Sequence, residues 1–183
     1  MLYIMRHGRT DWNNRNKLQG QTDIPLNEEG REMARRAGEE YSDIPLDICF
    51  CSPLVRARET AELVLQNRNV PIVYDERLKE IKFGIYEGIE NSFSIPDCPV
   101  NRFFFHPEEY LEAVEGGEST PELMARTGAF LKECVEPLLA KGKNILIVGH
   151  GAMNLSIVCQ VKNLPVEEFW KQSIENCKLF RLL

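Results

Sequence analysis

Short apolar runs alternate with amphipathic stretches along this chain. Residues 2–6 (Leu-Tyr-Ile-Met-Arg), Leu46 to Cys51, Pro71 to Tyr74 and the run from Ile145 to Val148 each read as a strand. Continuous rather than alternating apolarity marks strands buried on both faces, as in a parallel sheet. Helix signals lie between them. Asn27 followed by Glu28 and Glu29 predicts a capped helix over about 28–41. Ser52-Pro53 reads as an N-cap with proline in the first helical position, opening a helix to about Gln66. Ser119-Thr120-Pro121-Glu122 is a capping box. It starts a helix with Leu123, Thr127, Phe130, Leu131, Cys134 and Leu138 on one face. A helix after Gly151, a short helix after Pro165 and a strand near Lys178–Leu182 complete the series. Residues 75–90 read as a glycine-punctuated loop, and 91–118 dissolve into Pro, Phe and acid. The strand–helix alternation predicts a three-layer α/β/α fold around a mixed, mostly parallel sheet. With 183 residues, one domain over 1–183 is expected, with 91–118 as a lid-like insertion.

Composition narrows the function classes. Lys and Arg number 22 against 28 Asp and Glu, a net charge of −6. That argues against a nucleic-acid surface, which needs a basic stripe. No apolar run approaches the roughly 20 residues of a membrane span, and no signal-peptide pattern follows the first residues. The expected compartment is therefore the cytoplasm. Six cysteines without Cys-x-x-Cys do not make a disulfide scaffold. Cys49 and Cys51, two apart in a strand, share one face and read as small core thiols. No apolar stripe is left over from which to read an oligomeric state.

The chemistry gathers at two similar phrases. The first strand runs into Arg6-His7-Gly8 and the Ile145 strand into Gly149-His150-Gly151. Two of only three histidines thus end strands of an open sheet, where ligands sit at carboxyl ends. Glycine after each lets backbone come close. Arg6, at the end of a buried strand, needs an anionic partner. Arg56 falls within a turn of a helix start, where the dipole disfavours a cation unless an anion lies between. Each arginine alone is equally what a structural salt bridge uses. Placed at two adjacent strand ends beside two histidines, they suggest a pocket for phosphate, which the guanidinium fork matches. Zinc spacing of the His-x-His or His-Glu-x-x-His kind, Gly-x-Ser-x-Gly and Gly-x-x-x-x-Gly-Lys are all absent. What is left is a neutral imidazole attacking phosphorus to give phosphohistidine. That step needs an acid for the leaving oxygen. Glu80 is the candidate, in the loop after the third strand, and Glu87 its nearest competitor. A solvated loop charge is the ordinary alternative for either.

Arg6-His7-Gly8-Arg9-Thr10-Asp11-Trp12-Asn13 resembles the signature of the histidine phosphatase superfamily, in its phosphoglycerate mutase-like branch. Gln19-Gly20, Asp23-Ile24-Pro25-Leu26-Asn27-Glu28-Glu29-Gly30, Ser52-Pro53-Leu54-Val55-Arg56-Ala57, Glu80, Glu87-Gly88, Gly116-Gly117-Glu118-Ser119 and Gly149-His150-Gly151 follow in the same order. The resemblance implies a phosphoglycerate mutase-like fold. It implies that His7 is phosphorylated, that Arg6, Arg56 and His150 clamp the phosphoryl oxygens, and that Asn13, Gln19 and the backbone at Gly20 and Gly151 complete the cradle. Glu80 would give the leaving group its proton and then take one from water. No metal and no cofactor are implied, since arginines and histidine neutralise the equatorial oxygens.

Within that branch the choice lies between mutase and phosphatase. A mutase needs extra basic groups around its doubly phosphorylated intermediate. Residues 91–118 carry Asp97, Glu108, Glu109, Glu112, Glu115 and Glu118 against Arg102 alone, with Phe93, Phe103, Phe104 and Phe105 among them. This acidic, aromatic cover favours a phosphatase acting on a small phosphorylated metabolite. The aromatic run either faces an organic leaving group or forms a satellite core under the loop. Phosphoglycerate mutase-type transfer and a non-catalytic sensor of phosphorylated ligands are the rival readings.

Overall fold

Five strands form one sheet, in a computed structural model that describes residues 1–183. They are β1 (Leu2–Arg6), β2 (Ile48–Cys51), β3 (Ile72–Tyr74), β4 (Ile145–Gly149) and β5 (Leu179–Arg181), ordered β3-β2-β4-β1-β5. The β1–β4, β2–β4 and β2–β3 pairs are parallel, and only β5 runs antiparallel, against β1. The sheet is therefore mixed and mostly parallel, as expected. One expectation about placement fails. β1 and β2 are not neighbours, because β4 lies between them. β4, the last of the parallel strands along the chain, lies between two parallel neighbours, and all five of its residues are buried.

The strands divide their side chains by alternation. Leu2, Ile4, Phe50, Ile145 and Ile147 belong to one buried cluster, while Tyr3, Met5, Cys49, Cys51, Leu146 and Val148 belong to the other. The two thiols share a face, and all six cysteines are free. Two helices, α2 (Glu28–Glu40) and α3 (Val55–Leu65), cover the second cluster through Ala34, Ala37, Ala57, Ala61 and Val64. On the first face lie α5 (Thr120–Phe130) and α7 (Gly151–Lys162). Residues 152–159 of α7 are all buried, the polar Asn154 and Ser156 among them, so this helix is enclosed nearly all round. No helix is long and apolar enough to cross a membrane.

The elements depart from expectation in places where a specific interaction intervenes. A short α1 (Asp11–Asn14) forms because Thr10 and Asn13 make a capping box. In the long helix after Ser119, the turn Leu131–Val135 is π-helical before α6 (Glu136–Ala140). Pro137 has no N–H to give to Glu133, and its ring crowds that carbonyl, so the ladder slips there. The slip moves the buried stripe by a residue: Val135 is buried where the regular period had placed Cys134.

Residues 91–118 contain α4 (Asn101–Phe105) and two single-turn 3-10 helices. Phe103 is fully buried, with its ring 5.7 Å from Tyr110, 5.6 Å from Phe169 and 5.3 Å from Trp170. The Trp170 indole donates to the Phe103 carbonyl at 2.8 Å. Phe103 thus joins the main core on the α5/α7 face rather than a satellite of its own. Phe93 and Phe105, by contrast, are 61% and 64% exposed.

Candidate active site

Parallel register explains why the two His-Gly phrases meet. Arg6 on β1 is paired with Gly149 on β4, so the next residues of the two strands emerge side by side. The His7 and His150 rings are 5.2 Å apart between centroids, and both residues are buried. His7 N–H donates to the Gly149 carbonyl at 2.9 Å, which ties one phrase to the other.

Each imidazole has one ring nitrogen committed. His7 Nδ1 lies 2.7 Å from the Gly8 carbonyl. A carbonyl only accepts, so in the neutral ring the proton sits on Nδ1 and Nε2 keeps its lone pair. Burial first, then the guanidiniums of Arg56 and Arg6, hold His7 well below the ordinary histidine pKa. His150 is lowered in the same way, by burial, Arg56 and His7. Its Nε2 lies 2.7 Å from the Ser52 hydroxyl, while Nδ1 is buried with no partner.

The arginines complete the ring of donors. Arg56, the second residue of α3, is fully buried. Its Nη2 donates to the Gly20 carbonyl at 2.7 Å and its Nη1 to that of Thr22 at 2.9 Å. Burial brings its pKa down to about 10, against the opposing pull of Glu80, Asp23 and Glu87. At the start of α3 the protein supplies an anion of its own, Asp23, which accepts from Val55 N–H at 2.7 Å. Ser52, expected as the N-cap, is not one. The helix begins at Val55, and the Ser52 hydroxyl instead accepts from Leu54 N–H at 3.3 Å and faces His150. Arg6 is lowered by burial, partly offset by Glu80. The Nε atoms of Arg6 and Arg56 and His150 Nδ1 are all buried and unpaired. Buried donors without partners are costly, and an anion beside His7 is the chemistry that would satisfy them.

Glu80 joins this group. Its Oε1 accepts from the N–H groups of Ile81 and Met153, both at 2.9 Å, and its Oε2 from Ala152 at 3.2 Å. The carboxylate therefore caps the start of α7, immediately after His150. A Cβ on Gly151 would stand 3.6 Å from Arg6 Cζ and 3.7 Å from Glu80 Oε2. Gly151 is thus flanked by both groups, yet nothing crowds it. Gly8 is the glycine that close approach requires, since a Cβ there would meet the Gly30 carbonyl oxygen at 2.5 Å.

Asn13 and Gln19 are half-buried. Their side-chain oxygens lie 3.1 and 3.0 Å from Thr10 Oγ1, leaving each amide nitrogen for a ligand. The Gly20 carbonyl accepts from Arg56, so this residue also supports the clamp. Glu87, the competing acid, is fully engaged with the backbone of residues 21, 22 and 83.

Several supporting residues gave no separable signal in the sequence. Thr60 accepts from Gly8 N–H at 3.0 Å and donates to the Arg56 carbonyl at 2.7 Å. Asn176 donates to the His7 carbonyl at 2.6 Å, and Arg126 to that of Glu80 at 3.2 Å. Arg126 also pairs with Glu118 at 2.5 Å. Threonine in a helix and arginine beside acids are too common to single out. One group of metal-ligating side chains exists, His106, Glu108 and Glu109 on the 91–118 segment. Glu109 is already paired with Arg102.

The model of the histidine phosphatase superfamily (branch 1) matches residues 2–183. A 2,3-bisphosphoglycerate-dependent phosphoglycerate mutase 2 from Gloeobacter violaceus is 31% identical over 180 residues, covering 97% of this chain and 82% of that protein. Among solved structures, Bacillus stearothermophilus YhfR superposes with a TM-score of 0.86 at 32% identity, covering 97% of this chain and 88% of its own. A mycobacterial glucosyl-3-phosphoglycerate phosphatase, solved with VO3, gives 0.81 at 28% identity over 97% and 90% of the two chains.

Proposed function

The chain belongs to the histidine phosphatase superfamily, and from that membership we propose that it is a cofactor-independent phosphomonoester hydrolase working through phospho-His7. The supporting observation is the committed Nδ1 of His7, 2.7 Å from the Gly8 carbonyl. It leaves a neutral Nε2 lone pair among the guanidiniums of Arg6 and Arg56 and the imidazole of His150.

Nε2 of His7 attacks phosphorus, and the bond from phosphorus to the ester oxygen breaks. Glu80 gives its proton to that oxygen. Arg6, Arg56 and His150 Nδ1 hold the three equatorial oxygens, with the Asn13 and Gln19 amides and Gly151 beside the site. A water then attacks the phosphohistidine and gives its proton to Glu80, which restores the acid and releases phosphate with free His7.

The phosphatase reading draws on the solved relatives that are phosphatases and on the acidic cover at 91–118. The nearest cations downstream of His7 are also engaged. Arg9 pairs with Glu29 at 3.0 Å and Arg15 with Glu90 at 2.9 Å. A mutase would want such groups free for a second phosphate. The Gloeobacter relative favours mutase chemistry as the second reading. The substrate is a small phosphorylated metabolite in the cytoplasm, with neither nucleic acid nor membrane as partner, in keeping with the net charge of −6.

The test is a turnover assay with trapping. Phosphate release from a panel of phosphorylated metabolites is expected, with an acid-labile label on His7 and none in His7→Ala. Isomerisation of 3-phosphoglycerate without phosphate release would establish the mutase instead. A label on another residue would overturn the nucleophile.

A further inference from the structure

We propose that Glu87 is a positioning residue for the Arg56 clamp, acting through the turn at residues 20–22. This rests on the phosphatase reading and extends it to a residue outside the phosphate pocket.

The turn has two faces. On one, Glu87 Oε1 accepts from Gln21 N–H at 3.0 Å and from Phe83 N–H at 3.1 Å. Its Oε2 accepts from Thr22 N–H at 2.8 Å and from the Thr22 hydroxyl. On the other face, the carbonyls of Gly20 and Thr22 receive Nη2 and Nη1 of Arg56. One peptide unit, Gly20–Gln21, therefore donates to a carboxylate and accepts from a guanidinium. Its dipole is polarised from both ends, and bonds in such a chain strengthen one another. Fixing the N–H side of the turn fixes where its carbonyls stand, and hence where the guanidinium stands.

Gly20 shows how closely the carboxylate is seated. Its φ is +51°, and a Cβ there would lie 2.1 Å from Glu87 Oε1. Only glycine admits the carboxylate at this turn. The bond to Phe83 N–H reaches into the loop that carries Glu80. Glu87 thus couples the segment behind the clamp to the segment behind the acid. All four of its acceptor positions are filled, so it has none left for a substrate proton.

A simple loop brace would cost stability and lower activity by the same factor whatever occupies position 56. A positioning role makes the loss of activity depend on Arg56. The experiment is a double-mutant cycle on the full chain. Glu87→Gln keeps the shape and replaces one acceptor oxygen with a donor. It is measured in the wild type and in Arg56→Met, with p-nitrophenyl phosphate turnover and orthovanadate inhibition as readouts. In the wild type, kcat/KM is expected to fall about tenfold to a hundredfold, the scale for a clamp displaced by a fraction of an ångström to an ångström. Vanadate should weaken in parallel. In Arg56→Met the same change should move both by less than about threefold.

Thr22→Val removes a single bond to Glu87 and serves as the milder variant should Glu87→Gln fail to fold. It is expected to show a smaller loss that likewise vanishes without Arg56. Equal losses in both backgrounds, or no loss in the wild type, would overturn the positioning role while leaving the phosphatase reading intact. A wild type that neither turns over phosphomonoesters nor binds vanadate would overturn both.

Discussion

Replacing Arg56 with methionine separates chemistry from stability. The guanidinium is fully buried, and burial brings its pKa down from the ordinary arginine value to about 10. At about 1.4 kcal/mol per unit, the fold holds this cation at a cost of about 3 kcal/mol. Methionine removes that cost and keeps much of the volume. It also leaves the Gly20 and Thr22 carbonyls without their donors, at about 1–3 kcal/mol each. The opposing effects largely offset each other, so the unfolding free energy should change by about 3 kcal/mol or less. Transition-state stabilisation has no such offset. Losing one preorganised donor group on a developing phosphoryl charge costs about 3 kcal/mol, roughly a hundredfold to a thousandfold in kcat. Urea unfolding and p-nitrophenyl phosphate turnover on the same preparation measure the two effects. A folded Arg56→Met protein with kcat/KM within threefold of the wild type would refute the clamp. A large loss of stability with full activity per folded molecule would assign Arg56 a structural role instead.

Three further outcomes are expected. Burial and the two arginines lower His7 and His150 below the unfolded histidine value near 6.5. Their contribution to stability is therefore complete above that pH and declines as pH falls below it, until the folded-state values are reached, at roughly 1.4 kcal/mol per pH unit for each ring. His7→Asn should remove one ring's share of the slope in urea titrations between pH 6 and 5, and an unchanged slope would exclude His7 as a contributor. Glu80→Gln should slow alkyl phosphates far more than nitrophenyl phosphate, because only a poor leaving group needs the proton; equal slowing would argue against the acid role. Phe103→Ala removes a ring at the centre of the 91–118 anchor and should cost about 3–5 kcal/mol, whereas a loss under 1 kcal/mol would mean that this segment is held elsewhere.

Much of the site was legible because parallel strands deliver chemistry in a regular way. An apolar run ending in His-Gly states that a histidine stands at a sheet edge, and two such runs state that the edge is shared. Register then sets the spacing: Arg6 opposite Gly149 places the rings 5.2 Å apart. Strand order was less legible. No local pattern says that β4 inserts between β1 and β2, because all three are equally apolar, and their arrangement follows from long-range packing of α2, α3, α5 and α7. The capping signals show the same division. Ser119 and Asn27 cap the helices they precede, as local hydrogen bonding dictates. Ser52 carries the same signal but faces His150, because the strand end fixes the chain before the helix can start. Residues that work through backbone carbonyls, such as Asn176 on His7 and Arg126 on Glu80, leave no spacing to read. Glu87 is the instructive case between these limits. Its position in the chain suggested an acid, but its four acceptor bonds make it the anchor of the turn that seats Arg56. A carboxylate's role here is decided by which N–H groups reach it, and that is a property of the fold rather than of any motif.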